Sequence, residues 1–352
     1  MTLLFLSTRY KAIGRSVVAR QLLYTRQMSF ISGTVKLPTI VPGDEPAEFK
    51  YFDSQPAGTE STPSTTIISV HGVTFHSAIW DRWLPSLREN NIRLLSYNRR
   101  GYEGSPSIHK EDPPSAGLVQ TTVRYTLDML KFMKYAVDEL GVQPTDKKRK
   151  SGGVVLLGWS KGCIPPIALM ASMRHVKNPL FPMPPEVVSL EPMLESYLRA
   201  VLLYEPPGTA SGRPPTEDTK EFAVGPSEIQ TAFYNWVIKK INPDLLPALN
   251  NAYNGEHTAH EFSWYLAPDR PTIEQIAYQA FDPVPPNLGV GLMLGEEASD
   301  YCKDAGDWIQ QRLAQQPHTA TAIIPGAGHF AMISHPDAFT KSIVDVLHKL
   351  DV

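Results

Sequence analysis

Residues 154–163 read VVLLGWSKGC, and the serine in this stretch stands between two glycines, Gly158 and Gly162. The apolar run before the serine predicts a buried strand, and the residues after it predict a helix. One interpretation is an ordinary strand-to-helix turn in which Ser160 caps the helix. The other is a nucleophile elbow, in which the glycines let the backbone turn sharply and lift the serine oxygen above the sheet. The surrounding sequence decides between the two.

The composition is that of a globular protein with ample material for a hydrophobic core. Hydrophobic residues make up 42% of the 352 residues and charged residues 20%. The formal net charge of -3 gives no indication of a nucleic-acid partner or of an anionic membrane surface. Two cysteines, Cys163 and Cys302, are too few for a disulfide framework and favour an intracellular, reducing compartment. No run approaches the ~20 apolar residues of a membrane-spanning helix, so no integral membrane segment is predicted.

Residues 1–30 differ from the rest of the chain. They contain five basic residues and no acidic residue, with serine, threonine and leucine between them. This composition is typical of a mitochondrial transit peptide. The alternative is a disordered N-terminal extension, with Met28 as the true start. Either way, we expect this segment to lie outside the folded domain of a protein that is mitochondrial or otherwise cytoplasmic, and not secreted.

Strand and helix patterns alternate along the remaining chain. We predict strands at 48–55, 65–70, 92–98, 154–157, 200–205, 289–294 and 321–324, and helices at 77–90, at 121–140 and from Pro336 onward. Nearly all-apolar strands separated by helices predict a mostly parallel sheet covered on both faces. Residues 206–286 break the alternation, because they show no strand pattern, many prolines and several aromatic clusters. An insertion of this length predicts a helical cap over the sheet edge.

Two further segments fall where an elbow would need them. Residues 71–74, HGVT, end an earlier strand, so the N–H of Val73 can join that of Lys161 in an oxyanion hole. His329 lies on a glycine-rich loop just past the final strand, in PGAGHF. His257 and His260, in EHTAHE, resemble metal ligands but lack a matching third ligand, so no metal site is expected.

Four segments in succession resemble the signature segments of the α/β-hydrolase superfamily. They are VHGVTFHSAIW (70–80), YNRRGYEGSP (97–106), LGWSKG (157–162) and PGAGHFAM (325–332), and the resemblance extends over residues 45–350. It implies an α/β fold with an eight-stranded, mostly parallel sheet, helices on both faces and a cap inserted after strand six. The core would comprise 45–205 and 287–350, and the cap 206–286. The resemblance also implies a serine–acid–histidine triad without any cofactor, in which Ser160 is the nucleophile and His329 the general base.

The acid of this triad is open between two strand ends. Most of the superfamily places it a few residues past the glycine that ends strand seven, where this chain has Ala298. Asp300 comes two residues later, and Glu296 and Glu297 come earlier. The haloalkane-dehalogenase-like branch instead places its acid after strand six, where this chain has Glu205. Glu205 is therefore the favoured acid and Asp300 the alternative; without a catalytic role, Glu205 would brace the base of the cap.

A serine nucleophile implies an acyl-enzyme and hence hydrolysis of an ester, lactone or thioester. The dehalogenase and epoxide-hydrolase branches use an aspartate nucleophile, so Ser160 argues against their reactions. The aromatic residues of 206–286 favour a small-molecule substrate with a fairly apolar acyl group. Two alternatives remain: a carbon–carbon bond hydrolase or cofactor-free oxygenase or perhydrolase of the same fold, and a non-catalytic, ligand-binding relative.

Overall fold

The computed structural model describes residues 30–40, 46–55, 63–107, 117–174, 185–214, 216–222, 224, 228–255, 261 and 270–350. The N-terminal extension, apart from Phe30, lies outside these residues. The same holds for His257 and His260, the two histidines that resembled metal ligands. Within the described residues, every helix is too short or too polar to span a lipid bilayer.

A single eight-stranded sheet runs through the molecule. Its strands are β1 Ile31–Leu37, β2 Ala47–Asp53, β3 Thr65–Val70, β4 Ile92–Tyr97, β5 Val154–Trp159, β6 Leu198–Tyr204, β7 Gly289–Gly295 and β8 Thr319–Ile324. Their order is β1-β2-β4-β3-β5-β6-β7-β8. The pairs β1–β2 and β2–β4 are antiparallel and all other pairs are parallel. The predicted eight-stranded, mostly parallel sheet is confirmed.

Strand β1 was not predicted from its own residues. Three of its first four residues are exposed, and Gly33 interrupts the run of residues that favour strands. The segment therefore lacks the apolar sequence that marks the inner strands. Gly33 is there because a Cβ atom would come within 2.7 Å of the Tyr51 ring on β2. The strand is held by its antiparallel register with β2, which depends on tertiary pairing more than on local pattern.

The helices are α1 Leu84–Glu89, α2 Gly117–Asp138, α3 Ile164–Arg174, α4 Glu191–Tyr197, α5 Ile229–Ile238, α6 Leu246–Ala252, α7 Arg270–Phe281, α8 Asp300–Leu313, α9 Ala331–Ser334 and α10 Pro336–Leu350. Short 3-10 helices occupy Ser77–Trp83, Ser160–Cys163, Pro185–Leu190, Gly208–Ser211, Glu217–Phe222 and Pro243–Leu245. The predicted helix at 77–90 is thus two pieces, with a proline in the first turn of α1.

The core consists of two hydrophobic clusters, one on each face of the sheet. Along β5, Val154 and Leu156 face the cluster that includes α2, α3 and α7. Val155 and Leu157, which alternate with them, face the cluster that includes α10. Because successive side chains of a strand point to opposite faces, this division explains why the inner strands are buried at every position and largely apolar.

Between β6 and β7, the regular elements among the described residues are helices, and none of these residues joins the sheet. We call residues 206–286 the cap segment. One isolated bridge, between Phe75 and Tyr253, connects it to the loop after β3. Helix α7 packs on α3, and its Ile276 and Phe281 belong to the same cluster as the sheet residues. The C-terminal part of the cap segment is therefore packed as part of the core.

Candidate active site

Ser160 stands at the sharp turn between β5 and α3. It is the first residue of a 3-10 helix and has a left-handed φ of 54°, which is strained for a residue with a side chain. A helix-capping serine would have extended backbone angles, and the cap position here belongs to Trp159. The geometry is that of an elbow and differs from an ordinary capped turn.

Both glycines of the elbow are required by close backbone approach. A Cβ atom on Gly162 would lie 2.1 Å from the carbonyl oxygen of Val70, at the end of β3. A Cβ atom on Gly158 would lie 2.6 Å from the Cα of Cys163. Neither contact is possible for a real Cβ, so larger residues at these positions would push the turn away from the sheet. The Gly-x-Ser-x-Gly spacing is therefore a packing requirement of this turn.

His329 and Glu205 form a bonded pair at the same edge of the sheet. The Nδ1 of His329 lies 2.7 Å from Oε2 of Glu205, whose side chain is fully buried. The other carboxylate oxygen accepts the N–H of Gly295, at the end of β7, at 2.9 Å. The loop that carries His329 rests on the elbow strand, because Trp159 donates its indole N–H to the His329 carbonyl at 2.9 Å. Two hydrogen bonds thus fix Glu205 between the imidazole and a strand end.

The other candidate acids lie elsewhere. Asp300 is exposed at the first position of α8. Glu296 is exposed and accepts the N–H of Gly326, and Glu297 is exposed as well. Among the described residues, Glu205 is the carboxylate that contacts His329.

Residues 71–74, which we call the oxyanion loop after the role predicted for Val73, lie directly against Ser160. A Cβ atom on Gly72 would be 3.1 Å from the Cβ of Ser160. Within the described ranges, nothing accepts a hydrogen bond from the Val73 N–H. Thr74, the next residue, has a left-handed φ of 63°. The loop therefore lies against the serine and contains an N–H, that of Val73, without an acceptor among the described residues.

A buried charged cluster beneath this loop was not predicted from the sequence. Arg99 donates to Oε1 of Glu261 at 2.6 Å, and the Tyr102 hydroxyl donates to Oε2 at 2.6 Å. The Nζ of Lys161 donates to the backbone carbonyl of Glu261 at 2.9 Å. All of these side chains are buried. The Lys161 side chain therefore points to the cap segment.

A sequence model described as the alpha/beta hydrolase family matches residues 67–341. That range contains the elbow, the oxyanion loop and the Glu205–His329 pair. The chain belongs to the alpha/beta hydrolase family. The membership confirms the superfamily resemblance and the expected enzyme class, an α/β-fold hydrolase. A search among curated proteins returns no significant match.

Solved structures share the fold of this hydrolase at low sequence identity. A thermophilic esterase from Thermogutta terrifontis is 14% identical, with a TM-score of 0.54 over 92% of this chain and 100% of that one. A mutant haloalkane dehalogenase from Agrobacterium tumefaciens is 13% identical, with a TM-score of 0.54 over 90% of this chain and 97% of that one. A bromoperoxidase from Bacillus anthracis is 16% identical, with a TM-score of 0.50 over 90% and 100%. At these identities the likeness establishes the fold and leaves the reaction open.

Cys302 of the hydrolase is a buried thiol beside the Glu205–His329 pair. Its sulfur lies 3.8 Å from Nδ1 of His329 and 3.5 Å from the Glu205 carbonyl. These three residues form the one group in the described part of the chain whose ligand atoms are close enough to hold a metal. However, burial and the neighbouring Glu205 raise the pKa of the Cys302 thiol well above its usual value, and metals bind the thiolate. We therefore interpret Glu205 and His329 as a hydrogen-bonded pair and not as metal ligands.

The stability of the hydrolase should depend on the charge of Lys161. Burial lowers the pKa of Lys161 to about 7, and the nearby Glu261 and Arg99 charges act in opposite directions. In the unfolded chain the pKa returns to about 10.4. Between these values the unfolded chain holds a proton that the folded chain has released, so the free energy of unfolding rises with pH. Below pH 7 both states hold that proton, and Lys161 contributes no slope.

We expect wild-type stability to rise relative to a Lys161→Met variant by up to about 1.4 kcal/mol per pH unit above pH 7. Urea unfolding of both proteins at several pH values between 6 and 9 measures the difference. Comparison with the variant removes the contribution of every other titrating group. Parallel curves for the two proteins would show that Lys161 keeps its ordinary pKa in the fold.

Proposed function

We propose that this protein is a serine hydrolase that cleaves an ester, lactone or thioester bond through an acyl-enzyme. Ser160 is the nucleophile, His329 the general base and Glu205 the acid of the triad. The observation that carries the proposal is the strained backbone of Ser160 at an elbow beside a bonded histidine–carboxylate pair. Strained backbone is kept where the surrounding structure enforces it, and such positions cluster at active sites.

The proposed reaction begins when His329 accepts the Ser160 proton at Nε2 and the serine oxygen attacks the substrate carbonyl. Nδ1 of His329 keeps its proton toward Glu205, whose negative charge stabilises the imidazolium. The tetrahedral oxyanion accepts hydrogen bonds from the N–H groups of Val73 and Lys161. Collapse of this intermediate expels the leaving group, which takes the proton from His329. Water, activated by the same histidine, then releases the acid and restores the serine.

The proposed substrate is a small molecule with a fairly apolar acyl group. Aromatic rings surround the elbow: the centroids of Phe75 and Phe330 are 5.5 Å apart, and each lies within 5.7 Å of the Trp159 ring. Ester hydrolysis is also the activity named for the similar thermophilic esterase. A carbon–carbon bond hydrolase or a cofactor-free oxygenase would use the same three residues, so substrates must separate these reactions.

An alkyl fluorophosphonate tests the nucleophile directly, because it modifies a serine that a neighbouring base activates. We expect stoichiometric labelling of Ser160, identified by peptide mass spectrometry. We also expect turnover within a panel of p-nitrophenyl esters of increasing acyl length, assayed beside lactones. A folded protein that is neither labelled nor active on any member of the panel would support a ligand-binding relative instead.

A further inference from the structure

The oxyanion loop is attached to the cap segment through main-chain contacts. Residues 74–76 run antiparallel to residues 252–254, with a bridge between Phe75 and Tyr253. The Asn254 N–H donates to the Thr74 carbonyl at 2.6 Å. The oxyanion loop is therefore connected to the cap segment through main-chain hydrogen bonds.

Arg99 holds the peptide unit that carries the Val73 N–H. Its Nη2 donates to the Gly72 carbonyl at 2.8 Å, and its Nε donates to the His71 carbonyl at 3.1 Å. The Gly72 carbonyl and the Val73 N–H belong to one planar peptide and point in opposite directions. The hydrogen bond from Arg99 to the Gly72 carbonyl therefore also fixes the direction of the Val73 N–H.

Tyr102 holds the next peptide along the loop. Its hydroxyl accepts the Thr74 N–H at 2.7 Å and donates its own proton to Glu261 at 2.6 Å. This contact keeps Thr74 in its left-handed conformation, which a threonine does not adopt freely. The peptides on both sides of Val73 are thus bonded to groups that themselves bond Glu261.

Arg99 and Tyr102 both donate hydrogen bonds to the carboxylate of Glu261. Its side chain is fully buried, and that of Arg99 is 2% exposed. Burial works to raise the pKa of Glu261, but the charges of Arg99 and Lys161 outweigh it and hold the pKa below the usual value. The carboxylate is therefore ionised at neutral pH. Without it, the Arg99 guanidinium would be a buried charge with no carboxylate partner among the described residues, which is strongly unfavourable.

We propose that Glu261 is a positioning residue of the cap segment. It orients Arg99 and Tyr102, and these two side chains orient the Gly72–Val73 peptide as an oxyanion donor. Through Glu261, a residue of the cap segment thus contributes to the geometry of the oxyanion hole. The inference rests on the proposed serine hydrolysis, because it assigns the loop a role in that reaction.

Glu261→Gln keeps the shape of the side chain and removes its charge. We expect kcat for a p-nitrophenyl ester to fall about 10- to 100-fold, which is less than the roughly 10²- to 10³-fold loss that follows removal of one oxyanion donor, because the donor stays in place and only its support is weakened. KM should change by less than about threefold, since the ground-state carbonyl makes little use of the donor. Affinity for a boronic acid, which forms a tetrahedral adduct on the serine, should weaken in step with kcat. A purely structural role would raise KM or lower the amount of folded enzyme instead.

Glu217→Gln is the matched control, because Glu217 is an exposed carboxylate of the same segment, paired with Lys220. It should leave kcat unchanged. Arg99→Lys keeps the positive charge, but an ammonium group cannot donate to the His71 and Gly72 carbonyls in the way that the guanidinium does. The kcat of this variant should therefore also fall. The double variant Glu261→Gln/Arg99→Lys should lose less than the product of the two single losses, since both act through one peptide.

Active-site titration with the fluorophosphonate corrects every kcat for the fraction of competent enzyme. A folded Glu261→Gln enzyme with kcat within about twofold of wild type overturns the inference and leaves the proposed hydrolysis intact. If that variant does not fold, Tyr102→Phe, which removes one hydroxyl, takes its place, and an unchanged kcat there has the same meaning. A wild-type protein that is neither labelled nor active overturns the proposed function, and this inference with it.

Discussion

Replacing Ser160 with alanine is expected to lower kcat/KM for ester hydrolysis by at least about 10⁴ while the fold is kept. The members of a triad act as a unit, so removing the attacking oxygen leaves only the contribution of binding and of the oxyanion donors. Alanine has nearly the same backbone preferences as serine, so the left-handed φ of 54° costs the variant about as much as it costs the wild type. Steady-state assays of the two proteins measure the loss of kcat/KM, and thermal unfolding measures whether the fold is kept.

Ser334→Ala is the matched control for this experiment. Ser334 lies at the end of α9, close in sequence to His329, and its hydroxyl donates to the Phe330 carbonyl. Its loss should leave kcat/KM near the wild-type value. A folded Ser160→Ala protein with wild-type hydrolysis would remove Ser160 from the mechanism and would leave the elbow as a turn without chemistry.

Strained backbone gathers at the carboxyl ends of three neighbouring strands. Thr74 follows β3, Ser160 follows β5 and Glu205 follows β6, and all three have left-handed φ values without being glycine. In each case the strained turn carries a group that the proposed reaction uses: a neighbour of an oxyanion donor, the nucleophile or the acid. The packing of the sheet offsets this strain, because the strands that precede these turns are buried at every position.

Local sequence patterns predicted the elements whose own residues indicate their structure. The apolar run of β5, the flanking glycines and the proline that starts α10 are all readable within a few residues. Strand β1 carries no such signal, because half of it is exposed and its place is set by pairing with β2. The predicted position of each inner strand was correct to within about two residues, as expected where burial dominates.

The cluster around Glu261 was beyond the reach of sequence patterns. Glu261 and Arg99 are 162 residues apart, and neither lies in a sequence motif from which the pairing could be predicted. The stretch EHTAHE drew attention through its histidines, but its last residue is the one that the structure buries on Arg99. Pairings of this kind depend on how the cap segment packs on the sheet, which is set by the tertiary structure.

The acid was undecided in the sequence for a different reason. Parallel strands end at one edge, so residues after β6 and after β7 are both within reach of a histidine that follows β8. The choice depends on the turn after each strand. Glu205 turns inward and bonds His329, whereas Asp300 begins α8 and faces solvent.

Glu205→Gln should therefore lower kcat by about 10³ to 10⁴ with little change in KM. The amide fills the same space, and its oxygen can still accept the Gly295 N–H. Its NH₂ group would then face Nδ1 of His329, which favours the tautomer whose proton is on Nε2 and so blocks acceptance of the serine proton. The amide also cannot stabilise the imidazolium that forms as Ser160 attacks. Steady-state kinetics on one p-nitrophenyl ester separate kcat from KM.

Asp300→Asn is the matched control, because it makes the same carboxylate-to-amide change at the competing position. Its kcat should stay within about twofold of wild type, since Asp300 is exposed and lies at a helix start where an amide is tolerated. Near-UV circular dichroism of both variants separates a lost charge from a lost fold. If Asp300→Asn is the inactive variant and Glu205→Gln retains its kcat, the triad acid follows β7, and the bond between Glu205 and His329 only braces the loop.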